Sequence, residues 1–238
     1  MTAYPSSREI FDTVDWAHLV HAYSPDEQAE QAQALETLLG DDRDAMAAAT
    51  SALDGAFFHQ STLFPAGGPA FAVAIAALDE WGPDAPRDAI TEKILSLLAE
   101  IADEDLVPYQ EDIRSHVIDE QIHLRVAEEI DLAVADDQDI DYGEFDDDMT
   151  HESLAAAQVL LANAPRAVEV IGELARDMTN TVDLLALETA ALWTLLLDDA
   201  EQASASADYL RNLAEQIPAD VPESPAIKGR VLATLEGI

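Results

Sequence analysis

Apolar positions along this chain recur three and four residues apart, the repeat of an amphipathic helix, and nowhere alternate with the two-residue period of a strand. Ser24-Pro25-Asp26-Glu27 joins an N-cap serine, a proline at the first helical position and a capping-box glutamate. Leu35, Leu38 and Leu39 carry the apolar stripe that follows, and Gly40 ends it. Ala45, Met46, Ala49, Leu53 and Phe57 predict a second helix over 42–59, and a third is expected over 69–81. A fourth opens near Pro86 and places Ile90, Ile94, Leu97, Leu98 and Ile101 on one side.

After Pro108 the pattern predicts one long amphipathic helix containing Ile113, Val117 and Leu124, then an acidic loop over 136–148. Further helices are expected over 150–163, 165–176, 181–197 and 203–217, and Ser224-Pro225 caps a last one ending at Gly237. About ten helices joined by short turns predict an all-α fold of antiparallel helix pairs stacked side by side, an α-solenoid-like arrangement. The expected organisation is one all-α domain over 1–238, divided into halves at 1–105 and 106–238.

One stretch of the first half resembles a known family. His59-Gln60-Ser61-Thr62-Leu63-Phe64-Pro65-Ala66 is similar to the "HQG-x-Y-x-A-T" turn of actinobacterial HEAT-like repeat proteins. It matches at His59, Gln60 and Ala66 and, conservatively, at Phe64. The Ala45, Ala49, Leu53 spacing resembles a HEAT inner helix, although Ala45 and Met46 stand where such repeats carry Val-Arg. The resemblance covers residues 15–103, and it implies a HEAT-like stack that acts as an interaction scaffold.

Charge changes the picture most. The chain has 238 residues with 49 Asp and Glu against 11 Lys and Arg, a formal net charge of −38. Such a surface repels nucleic-acid phosphates and anionic membranes, so neither is an expected partner, and no basic patch interleaved with aromatics occurs. The expected partner is a basic protein. A scaffold of this sign could neutralise a cationic toxin or nuclease, as an immunity protein does, or imitate the charge of DNA. Proteome-wide acidity of a salt-adapted organism is the competing account.

Clustering favours a partner. At physiological salt the Debye length is about 8 Å, so only carboxylates within a turn or two act together. Asp136, Asp137, Asp139, Asp141, Glu144, Asp146, Asp147 and Asp148 meet that condition in an interval without lysine or arginine, and they are the candidate partner-binding residues. Asp137, Asp139, Asp141 and Asp148 also have the 1-3-5-12 spacing of a calcium loop. Gly143 falls one place late and position 12 is not Glu, so the stretch reads as a solvated acidic loop.

Little else in the sequence suggests chemistry. His116, Glu120 and His123 on the long helix are weak metal candidates, the basis of an alternative reading as a metal-dependent enzyme, but a second Glu-x-x-His is missing. His18 and His21, one helical turn apart, read as helix-face residues. Gly67-Gly68 precedes a helix with no cation nearby to hold a phosphate and reads as a turn between helices. No nucleophile elbow, Walker loop or dinucleotide fingerprint occurs, and there is no cysteine, so no catalytic residue and no cofactor are expected. The stretch from Gly55 to Leu78 has no Asp, Glu, Lys or Arg, yet Pro65, Gly67, Gly68 and Pro69 divide it, so it reads as core. The N-terminal residues lack a basic segment followed by an apolar one, and the expected location is the cytoplasm.

Overall fold

A computed structural model describes residues 4–22, 27–136, 146–178, 180–219, 221 and 224–238. It is all-α, with eleven α-helices and no strand among the described residues. In order these are α1 (Ser7–Thr13), α2 (Gln28–Glu36), α3 (Arg43–Ala52), α4 (Gly67–Trp81), α5 (Ala89–Ile101) and α6 (Gln110–Ser115). Then follow α7 (Glu120–Asp136), α8 (Asp146–Leu174), α9 (Thr181–Thr194), α10 (Ala200–Gln216) and α11 (Ser224–Thr234).

Side-chain caps fix the helix starts. The carboxylates of Asp42, Asp88 and Asp199 each accept two backbone N–H groups in the first turn of the helix that follows. Ser6 with Glu9 and Asn180 with Asp183 form reciprocal capping boxes. In an acidic chain this is an economical use of charge, because carboxylates at helix N-termini complement the macrodipole. The expected cap at Ser24 lies outside the described residues.

Two compact units make up the chain. One comprises Pro5–Ala74 and Tyr109–Leu160; the other comprises Ile75–Pro108 and Leu161–Ile238 together with Tyr4. Each unit thus takes sequence from both halves of the chain.

In the unit holding the C-terminus, α9 packs on α5, α10 and α11. Ile94, Leu95, Leu98, Ile101, Leu187, Ala190 and Trp193 are fully buried there. The Trp193 indole N–H donates to the Leu98 carbonyl at 2.9 Å, so the largest core side chain leaves no polar atom unmatched. Arg87 ties the unit together. Its Nε donates to Asp183 at 2.7 Å, and its Nη atoms donate to the carbonyls of Ala85, Pro83 and Leu174. One guanidinium therefore neutralises a carboxylate that is 1% exposed and caps the C-terminus of α8.

In the other unit α2 packs on α3. The helix expected over 42–59 ends earlier: after Ala52 the backbone widens to a π turn over Leu53–Phe57, and Phe58 and Leu63 form an antiparallel bridge. His59 and Thr62 exchange both backbone hydrogen bonds at 3.1 Å around Gln60 and Ser61. Both central residues lie in the left-handed region, with φ of 51° and 56°, as a two-residue hairpin turn requires. Gly67 and Gly68 then open α4 as its first two residues rather than forming a turn. A Cβ on Gly68 would lie 2.4 Å from the Ala156 carbonyl oxygen of α8, so only glycine permits this approach, and backbone fills the space a phosphate would need.

Two more expectations differ. The helices expected over 150–163 and 165–176 are one, because α8 runs through Pro165 at the loss of a single N–H donor while Leu160, Ala164, Ala167 and Ile171 stay buried along it. By length and composition Asp148–Leu174 could also cross a membrane. Half of its apolar window is buried within the protein, and core helices pass the same test. The long helix after Pro108 is two helices, α6 and α7, separated by extended residues 116–119.

Arg87→Ala should lower the unfolding free energy by about 3–5 kcal/mol, since it strands the Asp183 carboxylate in the interior. Arg87→Met combined with Asp183→Leu should recover most of that loss in urea denaturation. Ser61→Gly should raise stability by about 0.5–1 kcal/mol, because glycine relieves a left-handed residue at some cost in unfolded-chain entropy. A loss of stability on that change would show that Ser61 makes contacts worth more than its backbone strain.

Candidate functional site

Charge is distributed so that the cations are used internally. Arg8, Arg87, Arg125, Arg166, Arg176, Arg211, Lys228 and Arg230 each form an ion pair with a carboxylate of this chain. Arg43, Lys93 and Arg114, the other three basic residues, also make contacts. Arg166 is itself buried and donates through Nε and Nη2 to Asp79, which is half-exposed. With eleven cations engaged against 49 acids, the carboxylates facing solvent have little to offset them.

Most of the acidic loop falls outside what can be located. Asp137, Asp139, Asp141 and Glu144 are outside the described residues, as is the calcium-like spacing that includes them. Asp136 ends α7, and Asp146 and Asp147 begin α8; their side chains are outside the description. Asp148 is located, and its two oxygens accept from Arg125 at 2.7 to 3.2 Å. That carboxylate is therefore held by α7.

The break between α6 and α7 is built by α8. Gln158 Nε2 donates to the carbonyls of Ile113 and His116, both at 2.7 Å, and the Asp119 N–H donates to His151 Nε2 at 3.0 Å. Asp119 Oδ1 in turn accepts from the Gln121 N–H and starts α7. His151 Nε2 thus serves as the acceptor for a backbone N–H at the start of α7. The His116 ring lies edge-on to His151 with centroids 4.3 Å apart. Desolvation, reinforced by His151, holds the His116 pKa below the ordinary value.

This arrangement separates the three weak metal candidates. His116 is in the extended break and faces His151, whereas His123 on α7 pairs through Nδ1 with buried Glu152 at 3.2 Å, and Glu120 is exposed. The shared helical face expected of them fails because 116 and 120 are not on one helix. Among the described residues no three His, Asp or Glu side chains are grouped to hold a metal ion.

His18 and His21 do not share a helix face either. His18 ends the short turn Trp16–His18 and bridges Asp15 at 2.8 Å and Asp131 at 3.2 Å; the Asp15 hydrogen bond leads in raising its pKa. His21 follows that turn, buried edge-on against Phe57, and desolvation lowers its pKa to about 4. Trp16 packs half-buried on Phe11 and Phe57, so of the tryptophans only Trp193 is fully enclosed.

The group that sequence reasoning missed is Asp105. It lies in a π turn over Ala102–Leu106, and its Oδ2 is buried with no hydrogen-bond partner. Desolvation first, then the charges of Glu104 and Glu100, raise its pKa to about 6. One more carboxylate in an acid-rich stretch gives no signal that it turns inward.

Comparison with protein-family models, with curated proteins and with solved structures found no match to this chain.

Asp105 and His21 impose opposite pH dependences. A carboxyl whose folded pKa exceeds its unfolded value near 3.8 favours the fold most below pH 4, and this contribution is lost as pH rises to about 6. A histidine held at about 4 in the fold contributes fully above about 6.5, and its stability is lost as pH falls toward 4. Asp105→Asn should therefore stabilise the protein by about 1–2 kcal/mol at pH 7.5, a figure reduced for the partial exposure of the group. The gain should vanish near pH 4, which urea titrations at the two pH values will read. An equal gain at both would assign it to packing and not to ionisation.

Proposed function

We propose that this chain is a non-enzymatic scaffold, built from helix pairs stacked as in HEAT-like repeats, whose acidic surface binds a basic protein. Packing of consecutive helices supports the paired arrangement: α2 lies on α3, α9 on α10 and α10 on α11. The observation that carries the binding role is the internal use of the basic residues. Eight of the eleven cations are each tied to a carboxylate of the same chain, several of them at the surface, so few are left to offset the −38 excess that an approaching partner meets. A cationic toxin or nuclease, or a protein that ordinarily grips nucleic acid, has the matching charge. Neutralising such a protein in the cytoplasm is the setting that suits the sign of the surface.

Titration against a cationic nuclease and against duplex DNA separates this role from generic acidity. The protein should be folded at low salt and bind the nuclease with an affinity that falls steeply as salt rises through about 0.1 M, where the Debye length shortens to about 10 Å. It should resist displacement by polyglutamate of equal charge and ignore the duplex. Unfolding at low salt with recovery in about 1 M KCl would instead mark the acidity as salt adaptation, and displacement by polyglutamate would reduce the binding to non-specific attraction.

A further inference from the structure

The helix α7 buries one apolar row and exposes two leucines on the opposite side. Its inner row, Ile122, Val126 and Ile130, packs with Val20, Phe64 and Met149. On the opposite side Leu124, Glu128 and Leu132 follow at intervals of four residues and so form one row along the helix. Leu124 is 54% exposed and Leu132 57%. Val117 and Ile118, in the extended break immediately ahead of α7, are 80% and 55% exposed. Single exposed apolar residues are ordinary, but four of the nine large ones exposed among the described residues fall between 117 and 132.

Charge says what covers this row. Asp119, Glu120, Glu128 and Asp131 are exposed on or beside it. The arginine of α7, Arg125, is held by Asp148 through Nε and Nη2. A strip of apolar side chains edged by carboxylates is complementary to a helix with leucine-like residues at three- and four-residue spacing and lysine or arginine on its flanks. A second copy of this chain would bring carboxylates against carboxylates, and a phosphate-bearing partner would do the same.

We infer that the outward face of α7, with Val117 and Ile118 at its N-terminal end, is the docking strip for a basic amphipathic helix of the partner protein. This rests on the acidic-binding role proposed above and confines it to one face of α7, on which Leu124 and Leu132 stand about 12 Å apart along the helix axis. The apolar row supplies short-range affinity, and the acidic border supplies steering and selects against other partners.

The test uses the full chain and two labelled synthetic peptides of roughly twenty residues, equal in composition and built from Lys, Leu and Ala. One places its leucines on a single helical face and the other scrambles them. Fluorescence anisotropy at low salt should show the amphipathic peptide binding about tenfold or more tightly than the scrambled one. Leu124→Asp with Leu132→Asp should abolish that preference while circular dichroism and Tm stay unchanged, because both side chains already face solvent. Glu120→Gln with Glu128→Gln should instead flatten the salt dependence and keep the preference. Equal binding of both peptides would overturn this inference and leave a purely electrostatic acidic surface. Failure of both peptides to bind at low salt would remove the wider binding role as well. A dimer in sedimentation that Leu124→Asp dissociates would assign the face to a second copy, which also overturns the inference.

Discussion

Mutual repulsion among 49 carboxylates is the constraint that every other feature of this chain has to satisfy. With eleven cations available, neutralisation cannot be general, and the observed placements are selective. Arg87 and Arg166 are in protected positions, where a charge interacts with little screening and one guanidinium can serve a carboxylate together with backbone carbonyls or a ring. The exposed pairs, such as Arg8 with Glu36 or Arg176 with Glu173, contribute little each. At helix N-termini the backbone takes part of the load, because Asp42, Asp88 and Asp199 each accept from two N–H groups of the first turn. Compactness then comes from small, close contacts: alanine-rich helices and Gly68 packed against Ala156.

The sequence pattern was sufficient for features whose cause is local. Asp42 and the apolar stripe of α5 carry their own signal within one or two turns, and both α3 and α5 begin close to where the pattern places them. It failed where a distant residue decides. The spacing of Ile113, Val117 and Leu124 continues through residues 116–119, yet Gln158 and His151 capture the backbone there from more than thirty residues away. A local hint existed in Asp119, an N-cap residue after two β-branched ones. At Pro165 the opposite error arose: a local breaker was outvoted by burial on both sides of it.

The candidate site shows the same division. Net charge and the depletion of lysine are compositional and can be read directly, whereas the use of nearly every cation within the protein depends on tertiary pairing. The face of α7 was half legible, since the pattern puts Val117 and Leu124 in one amphipathic helix with Ile113. The helix break changes their direction: with α7 starting at Glu120, the buried row becomes Ile122, Val126 and Ile130, and Leu124 turns outward. The interruption leaves Ile113 in the core and Val117 and Leu124 at the surface.

The placement of α7 on its unit is held as much by polar contacts as by apolar ones. Among the described residues its inner face contributes three apolar side chains, and polar contacts add His123 with Glu152, Arg125 with Asp148, Asp131 with His18, and the Asp119 N–H on His151. The contact of His18 with its two aspartates strengthens when the ring is charged, so acidification tightens the hold on α7 at Asp131. Burial beside His151 disfavours a charge on His116 in the break that precedes the helix. A helix anchored in this way keeps its outer row in place through polar contacts as well as apolar ones, and the same sparse cations that stabilise the fold determine which carboxylates remain outside it.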